Sequence, residues 1–315
     1  MTTLMCLGFG YCAEHFVAAF GHKFERIIGT VRGAERAAIL NAYDGRRVQA
    51  LVFDGAHPTP ELESAIIDAN YVLISVPPDE NGDPIWSKLG EALKQSRQLR
   101  ELVYLSTVGV YGDREGRWVD EDTLTEPESA RSRERLSAEF DWRLLGRWSG
   151  SDPGVAILRL AGIYGPGQNA LLQLARGKAR RVVKPGQVFN RIHVGDIGQA
   201  INAAFTRKAS GIFNLADDEP SPPGDPIAFA AQLMGIEPPP EIPFEDAAPS
   251  MSPMALSFWQ DCRRVRNGKL KQELGVVLRY PTYREGLRAL FEEMNSSAPA
   301  KAEEGDHPKG GGGGV

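Results

Sequence analysis

Gly8-Phe9-Gly10-Tyr11-Cys12-Ala13 lies where an apolar run stops and a helical pattern starts, and that junction limits the fold more than any other stretch. Thr3–Leu7 reads as a strand buried on both faces. Ala13–Phe20 then carries apolar residues at helical spacing. In such a unit Gly8 allows the tight turn, and Gly10 lets the backbone come close to a bound group. Ala13 permits close helix–strand packing. The free N–H groups opening the helix favour phosphate, with the backbone of Phe9, Tyr11 and Cys12 alongside. A glycine-rich turn alone is a weak signal, so its surroundings decide.

The same alternation continues. Strands are expected at Arg26–Val31, Val48–Phe53, Tyr71–Val76, Leu102–Ser106, Val155–Leu160 and Gly211–Leu215. Helices are expected at Ala34–Ala42, Glu61–Ile67, Ile85–Gln95, Ser129–Leu145, Asp196–Phe205 and Thr282–Met294. Repeated βα units predict an α/β fold: a doubly wound parallel sheet that binds a dinucleotide, with a smaller C-terminal substrate lobe. The Rossmann core is expected over 1–165, with 190–235 returning to it, and the substrate lobe over 166–189 and 236–295. Proline-rich 220–253 reads as loops around one short helix, Ile227–Met234. The polar tail 296–315 ends in a glycine run and is expected to be disordered.

Composition narrows the class. A formal charge of −5 supplies no basic field for nucleic acid. Three scattered cysteines, Cys6, Cys12 and Cys262, make neither a disulfide framework nor a zinc motif, which points to a reducing cytoplasm. No stretch is long and apolar enough for a membrane span, and MTTLMCLGFG has no charged leader region before it.

The end of the second strand is where an adenine ribose approaches. It reads Thr30-Val31-Arg32, without the acid that usually grips ribose hydroxyls. Arg32 is therefore a candidate for a 2′-phosphate, making NADP the expected cofactor and NAD the alternative. A solvated surface arginine is the plainer role, and Glu35 complicates the choice. Asp54 is either an adenine ligand or a turn aspartate ahead of Gly55. Ser75, Val76 and Pro77 end the fourth strand at the same sheet edge.

Four further segments carry a family resemblance. Leu105-Ser106-Thr107-Val108-Gly109-Val110-Tyr111-Gly112-Asp113 resembles the "SS…VYGD" segment of extended short-chain dehydrogenases/reductases. Arg159–Gly167 resembles their "RxxNxYGPG", Arg191–Ile197 their "fIHVxDv" and Phe213-Asn214-Leu215 their "yNvg". With Gly109–Asp113 and Asp120-Glu121, the chain is most similar to a bacterial subgroup of NAD(P)-dependent epimerase/dehydratase-like proteins.

The resemblance implies Thr107 at the position that hydrogen-bonds the reacting oxygen. It also implies a Tyr and a Lys one turn apart on the next helix. The matching register, Pro127 to Glu139, holds Arg131 for the tyrosine and Arg135 for the lysine. Arginine stays protonated, so Arg131 cannot cycle a proton. Arg135 is then a candidate to hold the nicotinamide ribose. Tyr111 is the replacement acid/base candidate, although packing is its plainer role. Packing is plainer still for Tyr164, a solvated loop for Asp120 and Glu121, and a structural hydrogen bond for His193. If Arg131, Arg135, Arg159 and Arg191 converge, with Arg131 and Arg191 on the substrate side, the pocket suits an anionic ligand. Helical ion pairs with Glu128, Glu134 or Glu139 are the alternative.

The expected activity is that of an NAD(P)-dependent oxidoreductase, epimerase or dehydratase acting on a nucleotide sugar or related anionic hydroxy metabolite. The other reading is a non-catalytic NADP-binding sensor or scaffold. Neither nucleic acid nor membrane is an expected partner, and the chain is expected to be a monomer or homodimer.

Overall fold

A computed structural model describes residues 2–42, 48–148 and 151–296. The predicted tail therefore lies outside the described residues from 297 onwards. Seven parallel strands form the central sheet: β1 Thr3–Leu7, β2 Arg26–Val31, β3 Val48–Val52, β4 Tyr71–Ile74, β5 Glu101–Thr107, β6 Gly154–Leu160 and β7 Gly211–Leu215. Their order is β3-β2-β1-β4-β5-β6-β7. The chain starts in the middle, winds out through β2 and β3, and then returns to build the other half from β4. This reversal beside β1 is the doubly wound topology, and it opens a crevice at the carboxyl ends of β1 and β4.

Helices cover both faces. On one lie α1 Tyr11–Phe20, α2 Ala34–Ala42 and α6 Val194–Arg207; on the other lie α3 Pro60–Ile67, α4 Pro84–Gln95 and α5 Ala130–Trp148. That is why the central strands read as unbroken apolar runs. Leu4, Cys6, Val103 and Leu158 face the first layer, and Met5, Leu7, Leu102 and Ile157 the second. Segment 194–215 comes back to this core, with Gly198 of α6 close to Phe16 and Phe20 of α1.

Local signals set the helix starts. Thr59 and Asp83 cap α3 and α4 with side-chain oxygens, and a proline follows each cap. Asp83 also accepts from the indole of fully buried Trp142 at 2.8 Å, which ties α4 to α5.

The remaining chain packs above the carboxyl ends of β5–β7. It contains short parallel pairs: Gly162–Tyr164 with Arg191–His193, Arg181–Val183 with Glu241–Pro243, and Trp118–Val119 with Arg264–Val265. The proline-rich segment 220–253, where one helix was expected, holds Asp225–Met234 and a further short helix, Phe244–Ala247, and Pro253–Gln260 starts at its end. Two small cores hold this part together, one around Tyr164, Leu171, Tyr283 and Leu287, the other around Val182, Ala247 and Trp259. Among the described residues no helix is long and apolar enough to cross a membrane, and no cluster of three metal-ligating side chains occurs.

Candidate cofactor and active site

The glycine turn sits in the crevice beside β4. Gly8 has φ +94°, and a Cβ there would lie 2.8 Å from the Ser75 hydroxyl and 2.9 Å from Val76. Glycine is needed for both reasons. The turn is pinned from two sides: Thr30 Oγ1 accepts from the Gly8 N–H at 2.8 Å, and the Ser75 hydroxyl donates to the Gly8 carbonyl at 2.6 Å. Phe9 is buried against Gly29, so its side chain belongs to the fold, and its N–H donates to the Thr30 carbonyl at 2.7 Å, which ties the expected cofactor-binding backbone of Phe9 to β2 instead.

Gly10 differs from Gly8. Its backbone is extended (φ −115°, ψ −161°), and a Cβ there would meet nothing within 4 Å. It opens α1, and no side chain caps that helix end. Free N–H groups thus face open space in front of Gly10. Uncapped N–H groups at a helix start beside open space are of the kind that receive an anion. Tyr11 crosses from this turn to the opposite loop, where its hydroxyl donates to the Pro166 carbonyl at 3.0 Å. Cys12 is half-buried, and burial pushes its thiol up to about 11.

At the end of β2, Arg32 is exposed, and it makes no ion pair among the described residues. Arg36, one helical turn on, is paired with Glu14 at 2.5 Å. Val76 is half-buried and Pro77 exposed at the mouth. Asp54 is committed elsewhere. One carboxylate oxygen caps the Ala56 and His57 N–H groups, and the other holds the His57 ring at 2.9 Å. His57 and these N–H groups keep its pKa below the usual carboxylate range. Of the two roles open to Asp54, the turn role is the one its contacts serve.

Thr107 ends β5 half-buried, and its Oγ1 accepts from Gly109 N at 3.1 Å. Its neighbour was not foreseen. A Cβ on Gly109 would lie 3.3 Å from the Thr107 hydroxyl and 2.9 Å from that of Ser132. Ser132 Oγ in turn accepts from Ser129 Oγ at 2.9 Å. Thus Ser132, not its neighbour Arg131, brings the first turn of α5 to Thr107. Arg131 is exposed and makes no ion pair among the described residues.

Tyr111 has to be corrected as a catalytic candidate. It is 0% exposed, its hydroxyl donates to Asn214 at 2.7 Å, and the Arg159 guanidinium lies 4.8 Å from its ring centre. Burial pushes the phenol up to about 12. A phenol so enclosed holds the fold and reaches no substrate.

The arginines do not converge either. Arg135 is buried, and its Nη1 donates to the Tyr104 hydroxyl (3.1 Å) and the Leu105 carbonyl (2.9 Å). Arg159 forms a buried pair with Glu139 at 2.7 Å. Arg191 donates to the Phe189 carbonyl (3.1 Å) and Ser221 (2.8 Å), near Asp217, whose carboxyl burial pushes up to about 8. A guanidinium inside a fold needs acceptors for its donors, and the scaffold supplies them here. The roles expected for Arg135 at the ribose and Arg191 at the substrate therefore give way to structural ones.

His193 and Tyr164 are also internal. His193 Nδ1 accepts from Gly195 N at 3.0 Å, and burial lowers the ring to about 4. The Tyr164 hydroxyl donates to the Thr282 carbonyl at 3.3 Å. Asp120 accepts from Thr123, and Glu121 holds the Asn214 N–H of edge strand β7 at 2.7 Å.

No family model matches the chain. A 3-diazoavenalumate denitrifying reductase of a Streptomyces species is 27% identical over 148 residues, which is 44% of this chain and 47% of that protein, so the chain spans about half of that relative. Among solved structures, a dTDP-glucose 4,6-dehydratase from Bacillus anthracis in complex with NAD superposes with a TM-score of 0.73 at 18% identity, over 94% of this chain and 97% of that one. This likeness shows the Rossmann-like fold found in NAD-dependent epimerase/dehydratase proteins. A conserved protein of unknown function from Silicibacter pomeroyi is nearer: TM-score 0.81 and 41% identity, over 93% of this chain and 99% of that one. Protein YeeZ of Escherichia coli (strain K12) is 30% identical over 255 residues, covering 76% of this chain and 86% of that protein. With that identity over most of both lengths, the chain belongs to the same family as Protein YeeZ.

Proposed function

We propose that this chain binds a nicotinamide dinucleotide in the crevice at Gly8–Gly10 and works in the oxidoreductase, epimerase or dehydratase class. The observation that carries this reading is the open space before Gly10 at the uncapped start of α1. Gly10, Tyr11 and Cys12 would hold the pyrophosphate with their backbone, and Ser75, Val76 and Pro77 would border the dinucleotide. When bound, the nicotinamide ring accepts or donates hydride. Thr107 and Ser132 then supply two hydroxyls for the reacting oxygen, and Arg131 next to them suits a substrate with an anionic group. A nucleotide sugar, the substrate class implied by the family resemblance, would meet both requirements.

Arg32 favours NADP over NAD. Its exposed guanidinium at the end of β2 faces no competing acid partner among the described residues. Titration calorimetry should show NADP binding weakened about 10- to 100-fold by Arg32→Ala, the worth of one charge-assisted contact. NAD affinity should stay within about twofold. Equal loss for both cofactors would take the 2′-phosphate role away from Arg32.

Turnover is checked with purified protein, NADP or NADPH and a panel of hydroxy and carbonyl metabolites, read at the nicotinamide absorbance. Thr107→Ala and Ser132→Ala are each expected to lower kcat by about 100-fold with dinucleotide affinity unchanged. A second reading, a dinucleotide-binding sensor, draws on the enclosure of Tyr111. It predicts tight NADP binding and no turnover with any compound.

A further inference from the structure

A cavity opens at the amino ends of the strands, opposite the dinucleotide crevice. It lies among the residues that lead into β4, β5 and β7. Its volume is about 330 Å³, roughly ten times the share of one water in the liquid, so an anion larger than a single phosphate fits. Arg97, Arg100 and Lys208 line it, and its four other lining residues carry no charge. On a chain whose formal charge is −5, three cations around one recess with no acid among them are a local reversal of sign.

Both guanidinium groups are open to a ligand. Arg97 and Arg100 are exposed, and neither side chain makes a hydrogen bond or an ion pair among the described residues. Their backbone, by contrast, is fixed. Ser96 Oγ accepts from the N–H groups of Gln98 (3.4 Å) and Leu99 (3.2 Å), Asn70 Nδ2 donates to the Gln98 carbonyl (3.3 Å), and Arg100 N donates to the Asn70 carbonyl (2.8 Å). Lys208 ends α6 in the left-handed region (φ +54°), where glycine is usual, so an ammonium is kept at this rim against a backbone cost. Its Nζ has the Asp152 carbonyl at 3.4 Å, a long contact that leaves donors over.

The acids next to these residues in the chain do not neutralise them. Asp68 and Asp152 make no ion pair among the described residues. Glu101 is 0% exposed with its carboxyl against Gly154, and burial pushes its pKa up to about 9, so at neutral pH it brings no charge to the cavity. Arginine forks fit phosphate oxygens two at a time, and a fixed backbone lowers the cost of ordering them. A phosphate group carries about −1.5 to −2 at neutral pH, so two of them balance three cations where a single carboxylate cannot. We infer that this cavity binds an anion with two linked phosphate groups, gripped by Arg97, Arg100 and Lys208 independently of the dinucleotide crevice.

Inorganic pyrophosphate is the probe, with orthophosphate and acetate as controls, titrated into the full-length protein at low salt. Amide NMR shifts of Gln98, Leu99 and Lys208 read this cavity, and those of Gly10 and Tyr11 read the crevice separately. Pyrophosphate should saturate the first set with a Kd of about 0.1–1 mM. Orthophosphate and acetate should each bind at least about fivefold more weakly. The double variant Arg97→Gln, Arg100→Gln should weaken pyrophosphate at least about 10-fold at the cavity. Its thermal midpoint and any shifts at Gly10 should stay unchanged, because neither side chain holds the fold. ADP, the same two phosphates on a nucleoside, separates the sources: tighter binding than pyrophosphate assigns a nucleotide, and equal or weaker binding assigns the free anion. No saturation below about 10 mM pyrophosphate would overturn the inference. So would acetate or orthophosphate matching pyrophosphate, or undiminished binding by the folded double variant.

Discussion

Gly10→Val should abolish dinucleotide binding while leaving the protein folded. The expected loss is at least about 100-fold in affinity for both NADP and NAD, measured by calorimetry. The backbone at Gly10 is extended, a conformation that valine adopts readily. The new side chain meets no protein atom within 4 Å of its Cβ, so folding pays only the poorer helix cap, about 1 kcal/mol. A thermal midpoint within about 3 °C of the parent is expected. What the valine does fill is the space before the free N–H groups of α1, where the phosphates would lie. Gly8→Ala makes the contrasting control. Its positive φ and the close approach of Ser75 and Val76 mean that the fold itself must shift, so lost binding there would say little about the ligand. Undiminished binding by a well-folded Gly10→Val protein would move the dinucleotide away from this turn, and the rest of the functional reading with it.

The sheet was legible because each central strand is buried on both faces. Thr3–Leu7, Arg26–Val31 and Gly211–Leu215 have the predicted bounds, since turn residues or charges close each apolar run. The three-residue strands in the second half were not legible. Gly162–Tyr164 and Arg191–His193 are too short to show a period, and their pairing is set by a separation no local pattern encodes. The same difficulty governs the site. Glycine positions are local, so the cofactor turn could be read. The fate of Tyr111 depends on Asn214, 103 positions away, and that of Arg159 on Glu139, 20 positions away. A motif register placed Arg131 where a tyrosine is expected, but the helical phase of α5 presents Ser132 to Thr107. Ser129-Ala130-Arg131-Ser132 held the clue, because a serine just ahead of a helix caps it by accepting from the N–H three residues on, which fixes Ser132 beside it.

Glu101→Gln should stabilise the protein at neutral pH and leave it unimproved in acid. Glu101 opens β5 at the end of the sheet away from the cofactor. It is 0% exposed, and neither carboxyl oxygen has a hydrogen-bond partner. Burial pushes its pKa up to about 9, and the charge of Lys208 only partly opposes this. The unfolded carboxyl titrates near its ordinary value of about 4.3. The folded state therefore holds a proton that the unfolded state releases, and stability falls as pH rises from that value towards about 9. Below the unfolded pKa both states are protonated, and no cost arises. At pH 7 the cost is about 3–4 kcal/mol, and the glutamine variant would carry none of it, its amide having no proton to lose. Denaturant melts at several pH values read this directly. The variant should gain on the parent steadily from about pH 5 to pH 8, while any fixed difference between a buried amide and a buried acid shifts all points equally. A stability difference that stays flat across that range would mean that Glu101 is ionised in the fold, and that a cation such as Lys208 reaches it in solution.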